Sequence, residues 1–147
     1  MFKRILVICT GNICRSPYGE AKLKQLLPNL YIDSAGVATE KSRLQDAPAD
    51  PSAIKVAQQL GMDISAHRAK QVTQAMVDDV ELILAMERNQ IDLLCEMIPT
   101  ARSKAFLFGH WVGLSTIDDP YQQEESAFKQ AFANIDKAAE AWGRKLQ

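Results

Sequence analysis

The sequence predicts an α/β protein, a single doubly wound domain with a mainly parallel sheet flanked by helices. Three observations lead there. Short continuous apolar runs, ILVI at 5–8, LILAM at 82–86 and AFLF at 105–108, read as strands buried on both faces, the habit of parallel sheets. Helix-like segments separate these runs, as crossover connections require. The chain has 147 residues, a length suited to one domain with one core.

The elements follow in order. After ILVI, Ser16 and Pro17 mark a helix start, with Ser16 as cap and Pro17 at the first helical position. That helix is expected to reach about Leu27 and stop before Pro28. LYIDSAG at 30–36 reads as a second strand ending in a turn. Asp50-Pro51 repeats the cap-and-proline signal for a helix that closes at Gly61, a good C-terminal cap. Thr73 is expected to cap a short helix, and a further helix near 88–98 ends before Pro99. Phe128, Ala131, Phe132, Ile135, Ala138, Ala139, Trp142 and Leu146 recur at helical spacing, so the chain closes with a long amphipathic helix. No repeat, low-complexity tract or linker divides residues 1–147.

Composition excludes several classes. A formal net charge of −1 gives no basis for nucleic acid or an anionic membrane as partner. The opening MFKRILVICTGN is interrupted too soon to read as a secretory signal or a membrane span. Three cysteines, an odd number, argue for a reducing cytoplasm and against a disulfide scaffold. A monomer is the default expectation.

Chemistry concentrates in CTGNICRSP at 9–17. A cysteine ending a buried strand, a tight loop with Gly11 and Asn12, and Arg15 at a helix mouth form a cup for a phosphate-like dianion. Loop N–H groups turn inward, the helix N-terminus adds positive potential, and a guanidinium grips two oxygens. The same field favours a thiolate at Cys9, and a nucleophile at the floor of an anion cradle is what phosphoryl transfer through a cysteinyl-phosphate needs. The blander reading, a buried core cysteine, does not account for this narrow context. Arg15 as a mere surface cation is disfavoured by the helix macrodipole unless an anion is bound. Ser16 has two open roles, helix cap and donor to the Cys9 sulfur. Asn12 is either a turn residue that tolerates positive φ or a tie to neighbouring segments as well. Cys14 is either a small packing residue or the partner of Cys9 in a reversible, protective disulfide. Cys95 falls on the apolar side of a helix and reads as core.

Expelling a phenoxide or alkoxide from phosphorus needs a proton donor. Asp118-Asp119-Pro120-Tyr121 follows the last apolar run and is expected on the same rim as Cys9, at the carboxyl ends of the strands. Residue types alone leave Asp118 and Asp119 as alternatives. Tyr121 is a packing residue or the aromatic wall of the pocket. His67, in a polar stretch, reads as structural, and no second ligand stands at zinc spacing. No metal or cofactor is expected.

These motifs closely resemble the low-molecular-weight protein tyrosine phosphatases over nearly the whole chain. CTGNICRS at 9–16 matches that family's signature loop and DPY at 119–121 its acid loop. DSAG at 33–36, AHRAKQ at 66–71 and LAMERN at 84–89 lie between them in the family's order. The resemblance implies that Cys9 attacks phosphorus, that Arg15 and the amides of Thr10, Gly11, Asn12, Ile13, Cys14 and Arg15 hold the phosphoryl oxygens, and that Asp119 is general acid and then base. It implies that Ser16 supports the thiolate, that Asn12, Ser34 and His67 brace the loop, and that Tyr121 walls the pocket. Thr10 and the lone tyrosine after Asp119-Pro120 resemble bacterial members, which often accompany a tyrosine autokinase of capsule or exopolysaccharide export. A thioredoxin-coupled arsenate reductase of the same fold is the rival enzyme, but it needs a close pair of distal cysteines where this chain has Cys95 alone. A non-catalytic phosphotyrosine-binding module is the rival of another class, and it would have lost the nucleophile or the acid.

Overall fold

The computed structural model describes residues 2–147. Four strands, β1 (Arg4–Cys9), β2 (Tyr31–Gly36), β3 (Leu82–Ala85) and β4 (Ala105–Leu107), form one sheet in the order β2-β1-β3-β4, and all three pairings are parallel. The helices are α1 (Arg15–Leu26), α2 (Pro51–Gln59), α3 (Gln74–Asp78), α4 (Arg88–Met97) and α5 (Glu125–Leu146). Successive side chains on a strand face opposite ways, and the core divides accordingly. Ile5, Val7, Cys9, Leu82 and Leu84 pack with α1, α2 and α5, whereas Leu6, Ile8, Ile83 and Ala85 pack with α3 and α4. The sheet is therefore covered on both faces, as the continuous apolar runs require.

Local signals explain the helix limits. Asp50 accepts hydrogen bonds from the N–H groups of Ser52 and Ala53, with Pro51 opening α2, and Gly61 follows the helix at φ 84°. Thr73 caps α3 through the N–H of Met76. Pro99 ends α4 and begins a single 3-10 turn, Pro99–Ser103.

Two expectations are corrected. β4 is not buried on both faces. It is the open edge of the sheet, Phe106 is 41% exposed, and full burial is reached only at Phe108, beyond the strand. An all-apolar run does not reveal whether another strand lies beyond it. Phe106 gains its cover from the edges of His110 and Trp142, with ring centroids 5.8 and 6.2 Å away. Ser16 is not the cap of α1. The helix starts two residues earlier, at Arg15 rather than Pro17, so Ser16 and Pro17 fall inside its first turn, where proline still displaces no intrahelical N–H bond.

The strand order reverses between β1 and β3, and the crevice beyond the carboxyl ends of those strands is where ligands bind in such sheets. Gly36, ending β2, is squeezed against this region. A Cβ there would lie 2.0 Å from Thr39 Oγ1 and 2.7 Å from the Thr10 carbonyl oxygen. Because backbone of the loop after β1 is one obstacle, Gly36→Ala is expected to cost ~3 kcal/mol, the upper end of ordinary overpacking. A lowered urea midpoint checks this, and an unchanged midpoint would show that the loop yields freely.

Candidate active site

The loop from residue 9 to residue 15 joins β1 to α1 and lines a cavity of about 250 Å³. Cys9, Thr10, Gly11, Ile13, Cys14 and Arg15 line it together with Ser42 and Leu44, and the more exposed Asp119 and Tyr121 stand at its lip. Cys9 accepts a hydrogen bond at Sγ from the Asn12 N–H (3.3 Å) and lies 2.9 Å from Ser16 Oγ.

The donor pattern behind the loop fixes which way the Ser16 hydroxyl points. Asn12 is fully buried at φ 62°, a conformation asparagine tolerates better than most residues. Its Nδ2 donates to Ser16 Oγ (2.7 Å) and to Ser34 Oγ (3.0 Å). Its Oδ1 accepts the Lys70 N–H (3.0 Å), and its carbonyl accepts His67 Nε2 (2.7 Å). Ser34 in turn donates to Glu20 Oε1 (2.5 Å). With both Asn12 amide hydrogens committed, Ser16 is left to donate its own proton to Cys9, which stabilises a thiolate. The Ser16 hydroxyl is thus turned to the sulfur rather than to the helix N-terminus. Burial holds the His67 imidazole below its ordinary pKa against the pull of the Asn12 carbonyl, and a neutral ring protonated at Nε2 suffices to donate. Asn12, Ser34 and His67 thus link the loop to β2 and to the segment around residue 70 by hydrogen bonds. The Asn12 side chain lies behind the loop rather than in the cavity, so only its backbone N–H is on the side of the cup. Asn12→Ala loses the left-handed tolerance and three side-chain hydrogen bonds, so a loss of ~2–4 kcal/mol is expected, read as a lowered denaturation midpoint.

Arg15 is 1% exposed. Its Nη1 donates to Glu87 Oε2 (2.6 Å) and to the Ile117 carbonyl (2.7 Å). These bonds anchor one arm of the guanidinium and leave the N–H groups of Nε and Nη2 for the cup. Nη2 lies 3.7 Å from Asp119 Oδ2. The Asp119 side chain is 45% exposed, and its Oδ1 accepts the Tyr121 N–H (3.1 Å), which holds the carboxyl at the lip. Gln123 secures the same turn by donating to the Asp119 carbonyl (2.9 Å). Of the two adjacent acids, Asp119 lines the cavity and Asp118 does not.

The remaining loop residues are held from outside. Thr39 Oγ1 donates to the Gly11 carbonyl (3.0 Å), and a Cβ on Gly11 would lie 2.9 Å from Leu44. The Asp50 N–H donates to the Ile13 carbonyl (2.9 Å), which ties the start of α2 to the loop. Cys9 and Cys14 are free thiols. Burial, aided by the charges of Asp50, Cys9 and Asp119 and opposed by Arg15, pushes the Cys14 thiol well above its ordinary pKa. At rest Cys14 is a neutral packing residue. Cys95 is buried on α4 within the other core layer.

Glu87, Glu20, Thr39, Lys70 and Leu44 carried no assigned role in the sequence reading. Glu87 had a usable signal, since it directly follows the carboxyl end of a buried strand. The others reach the loop only through tertiary contact.

A thiol flanked by hydrogen-bond donors beneath a helix mouth, with an arginine and a carboxyl beside it, is an arrangement suited to a phosphate-like anion and places the protein with the phosphate-handling α/β enzymes. The comparisons specify the family. The family model for low molecular weight phosphotyrosine protein phosphatase matches residues 4–147. The low molecular weight protein-tyrosine-phosphatase Wzb of Escherichia coli K12 is 39% identical over 146 residues, covering 99% of this chain and 97% of that protein. The structure of Vibrio vulnificus Wzb in complex with benzylphosphonate superimposes with a TM-score of 0.96 at 48% identity and 99% coverage of both chains. Wzb from Escherichia coli K30 in complex with sulphate gives 0.95 at 43% identity, with both chains fully covered. The chain belongs to the low molecular weight phosphotyrosine protein phosphatases, and it is a protein-tyrosine-phosphatase, a phosphoric monoester hydrolase. No described helix is long and apolar enough to cross a membrane.

Proposed function

We propose that the enzyme hydrolyses protein phosphotyrosine in two displacements at phosphorus, in the cytoplasm and as a monomer. In the first, the Cys9 thiolate forms an S–P bond as the P–O bond to tyrosine breaks, and Asp119 gives its proton to the departing phenolate. In the second, Asp119 takes a proton from water, the water oxygen bonds to phosphorus, and the S–P bond breaks to release phosphate and the thiolate. Arg15 and the loop amides hold the non-bridging oxygens throughout, and Tyr121 with Leu44 flanks the ring. The observation that carries this reading is the Cys9 sulfur, which meets the Ser16 hydroxyl and the Asn12 N–H in a cavity that buried Arg15 and the more exposed Asp119 also line, Nη2 and Oδ2 3.7 Å apart. Benzylphosphonate, seen on the Vibrio vulnificus relative, has the aryl group and phosphoryl-like head that such a cavity suits.

The test is release of inorganic phosphate from a phosphotyrosine peptide with EDTA present, beside the matching phosphoserine peptide. Turnover of the first far above the second is expected, and equal turnover would overturn the proposed selectivity. Arg15→Lys keeps the charge but loses the planar two-point grip and both Nη1 anchors. It is expected to lose most activity, about 10²-fold or more in kcat/KM. Wild-type kinetics in that variant would show that the fork is dispensable.

The natural substrate in this proposal is a bacterial tyrosine autokinase of capsule or exopolysaccharide production, on the strength of the bacterial features of the loop and the bacterial relatives. Faster dephosphorylation of such an autophosphorylated kinase than of unrelated phosphotyrosine proteins supports it. Equal rates would remove it.

A further inference from the structure

Gln90 is a polar side chain with 0% exposure in the first turn of α4, a position where an apolar residue would fill the core without burying an amide. Its Oε1 accepts the backbone N–H groups of Met86 (2.9 Å) and Glu87 (3.1 Å), which caps the helix. That leaves the amide N–H to be satisfied. Nε2 donates to Thr10 Oγ1 (3.2 Å), on the residue directly after the nucleophile.

The two residues that Gln90 holds are a junction. The Met86 carbonyl accepts the Ile117 N–H (3.0 Å), and Glu87 pairs with Thr116 in an antiparallel bridge, so both join the segment leading into the acid loop. The Glu87 carboxylate also anchors Arg15, whose Nη1 reaches Ile117 as well. The loop bearing Cys9 and the loop bearing Asp119 thus meet at Met86 and Glu87, and Gln90 clamps that junction to Thr10.

We propose that Gln90 is a positioning residue: through Thr10 it sets the register between the phosphate loop and the acid loop, so that Arg15 and Asp119 address the same phosphoryl group. The inference rests on the roles proposed above for Cys9, Arg15 and Asp119. A simple helix cap needs only the carbonyl half of the side chain. The Thr10 bond is the part that a capping role does not explain, and it can be removed from the Thr10 side without touching α4.

The experiment compares Thr10→Val, Gln90→Met and the double variant, with Asp119→Ala as control. Readouts are kcat/KM on a phosphotyrosine peptide and on an aryl phosphate with a strongly acidic phenol, and inhibition by orthovanadate. Each single variant is expected to lose roughly fivefold to tenfold in kcat/KM on the peptide, the scale of one buried hydrogen bond. The loss should be smaller on the acidic phenol, where alignment of the acid matters less. Orthovanadate, which needs the phosphate loop alone, should inhibit within about twofold of wild type. The double variant should be no worse than the poorer single, because both remove one interaction. Additive losses, equal losses on both substrates, or a lowered melting temperature with unchanged kinetics would overturn the inference. Thr10→Val decides alone if Gln90→Met does not fold. Failure of the underlying reading has a separate sign, since Asp119→Ala would then show no dependence on leaving group.

Discussion

Cys9→Ser is expected to abolish turnover, by about 10⁵-fold or more, while phosphate and phosphotyrosine peptide still bind. The two halves of this result have different physical origins. A serine hydroxyl holds its proton far more tightly than a thiol, and no base stands beside residue 9 to take it. The flanking groups are donors, Ser16 Oγ at 2.9 Å and the Asn12 N–H at 3.3 Å, and they stabilise an anion without accepting a proton. The cradle, however, is held from behind by Asn12, Ser34 and His67 and at its mouth by the Arg15 anchors. None of these contacts uses the sulfur, so the loop should keep its shape. Loss of the thiolate also removes a negative charge facing a dianion, so the Kd for phosphate should fall or stay level. Phosphate-release assays and isothermal titration on the same preparation check both halves. Measurable turnover within about 100-fold of wild type would mean that the nucleophile lies elsewhere. Lost binding would mean that the sulfur shapes the loop.

Asp119→Ala is expected to lower kcat/KM on phosphotyrosine by about 10²–10⁴-fold, the usual range for a positioned general acid. kcat/KM reports the steps up to departure of the phenol, so the loss should shrink as the phenol becomes more acidic and needs its proton less. Asp119 also serves the second displacement in the proposed mechanism. With a good leaving group the variant should therefore release one equivalent of phenol in a rapid burst and then stall as the phosphorylated enzyme. The geometry favours Asp119 over its neighbour, because Oδ2 lies 3.7 Å from Arg15 Nη2 and the Tyr121 N–H fixes the carboxyl at the lip. Asp118→Ala should leave the burst absent. Equal losses on all leaving groups, or a burst in the Asp118 variant instead, would reassign the acid.

The parts of this site that the sequence displays are local ones. Strand, turn and helix start lie within a dozen residues, so β1, the positive φ of Asn12 and the position of Cys9 beneath a helix mouth follow from short-range chemistry. The acid loop was placed on the same rim because parallel strands bring their carboxyl ends to one side. Even local signals misread where two roles share one residue type. Ser16 before Pro17 has the look of a helix cap, yet its hydroxyl turns to the sulfur, because Asn12 occupies its acceptor side and leaves its proton for Cys9. The run AFLF looked interior because burial of a strand depends on its neighbours in the sheet rather than on its own residues.

By itself the sequence determined the class of fold, the order of elements and which segments meet at the cavity, the Cys9–Arg15 loop and the Asp118-Asp119 pair, since each rests on covalently adjacent residues or on the polarity of parallel strands. The tertiary structure alone decided what holds them. Arg15 finds Glu87 across 72 residues and the Ile117 carbonyl across 102, Ser34 donates a hydrogen bond to Glu20, and Gln90 reaches Thr10 from α4. Hydrogen bonds of that kind depend on distances and angles between side chains that no spacing along the chain encodes. They exist only once the packed sheet and helices have brought donor and acceptor atoms of distant residues within about 3 Å of one another.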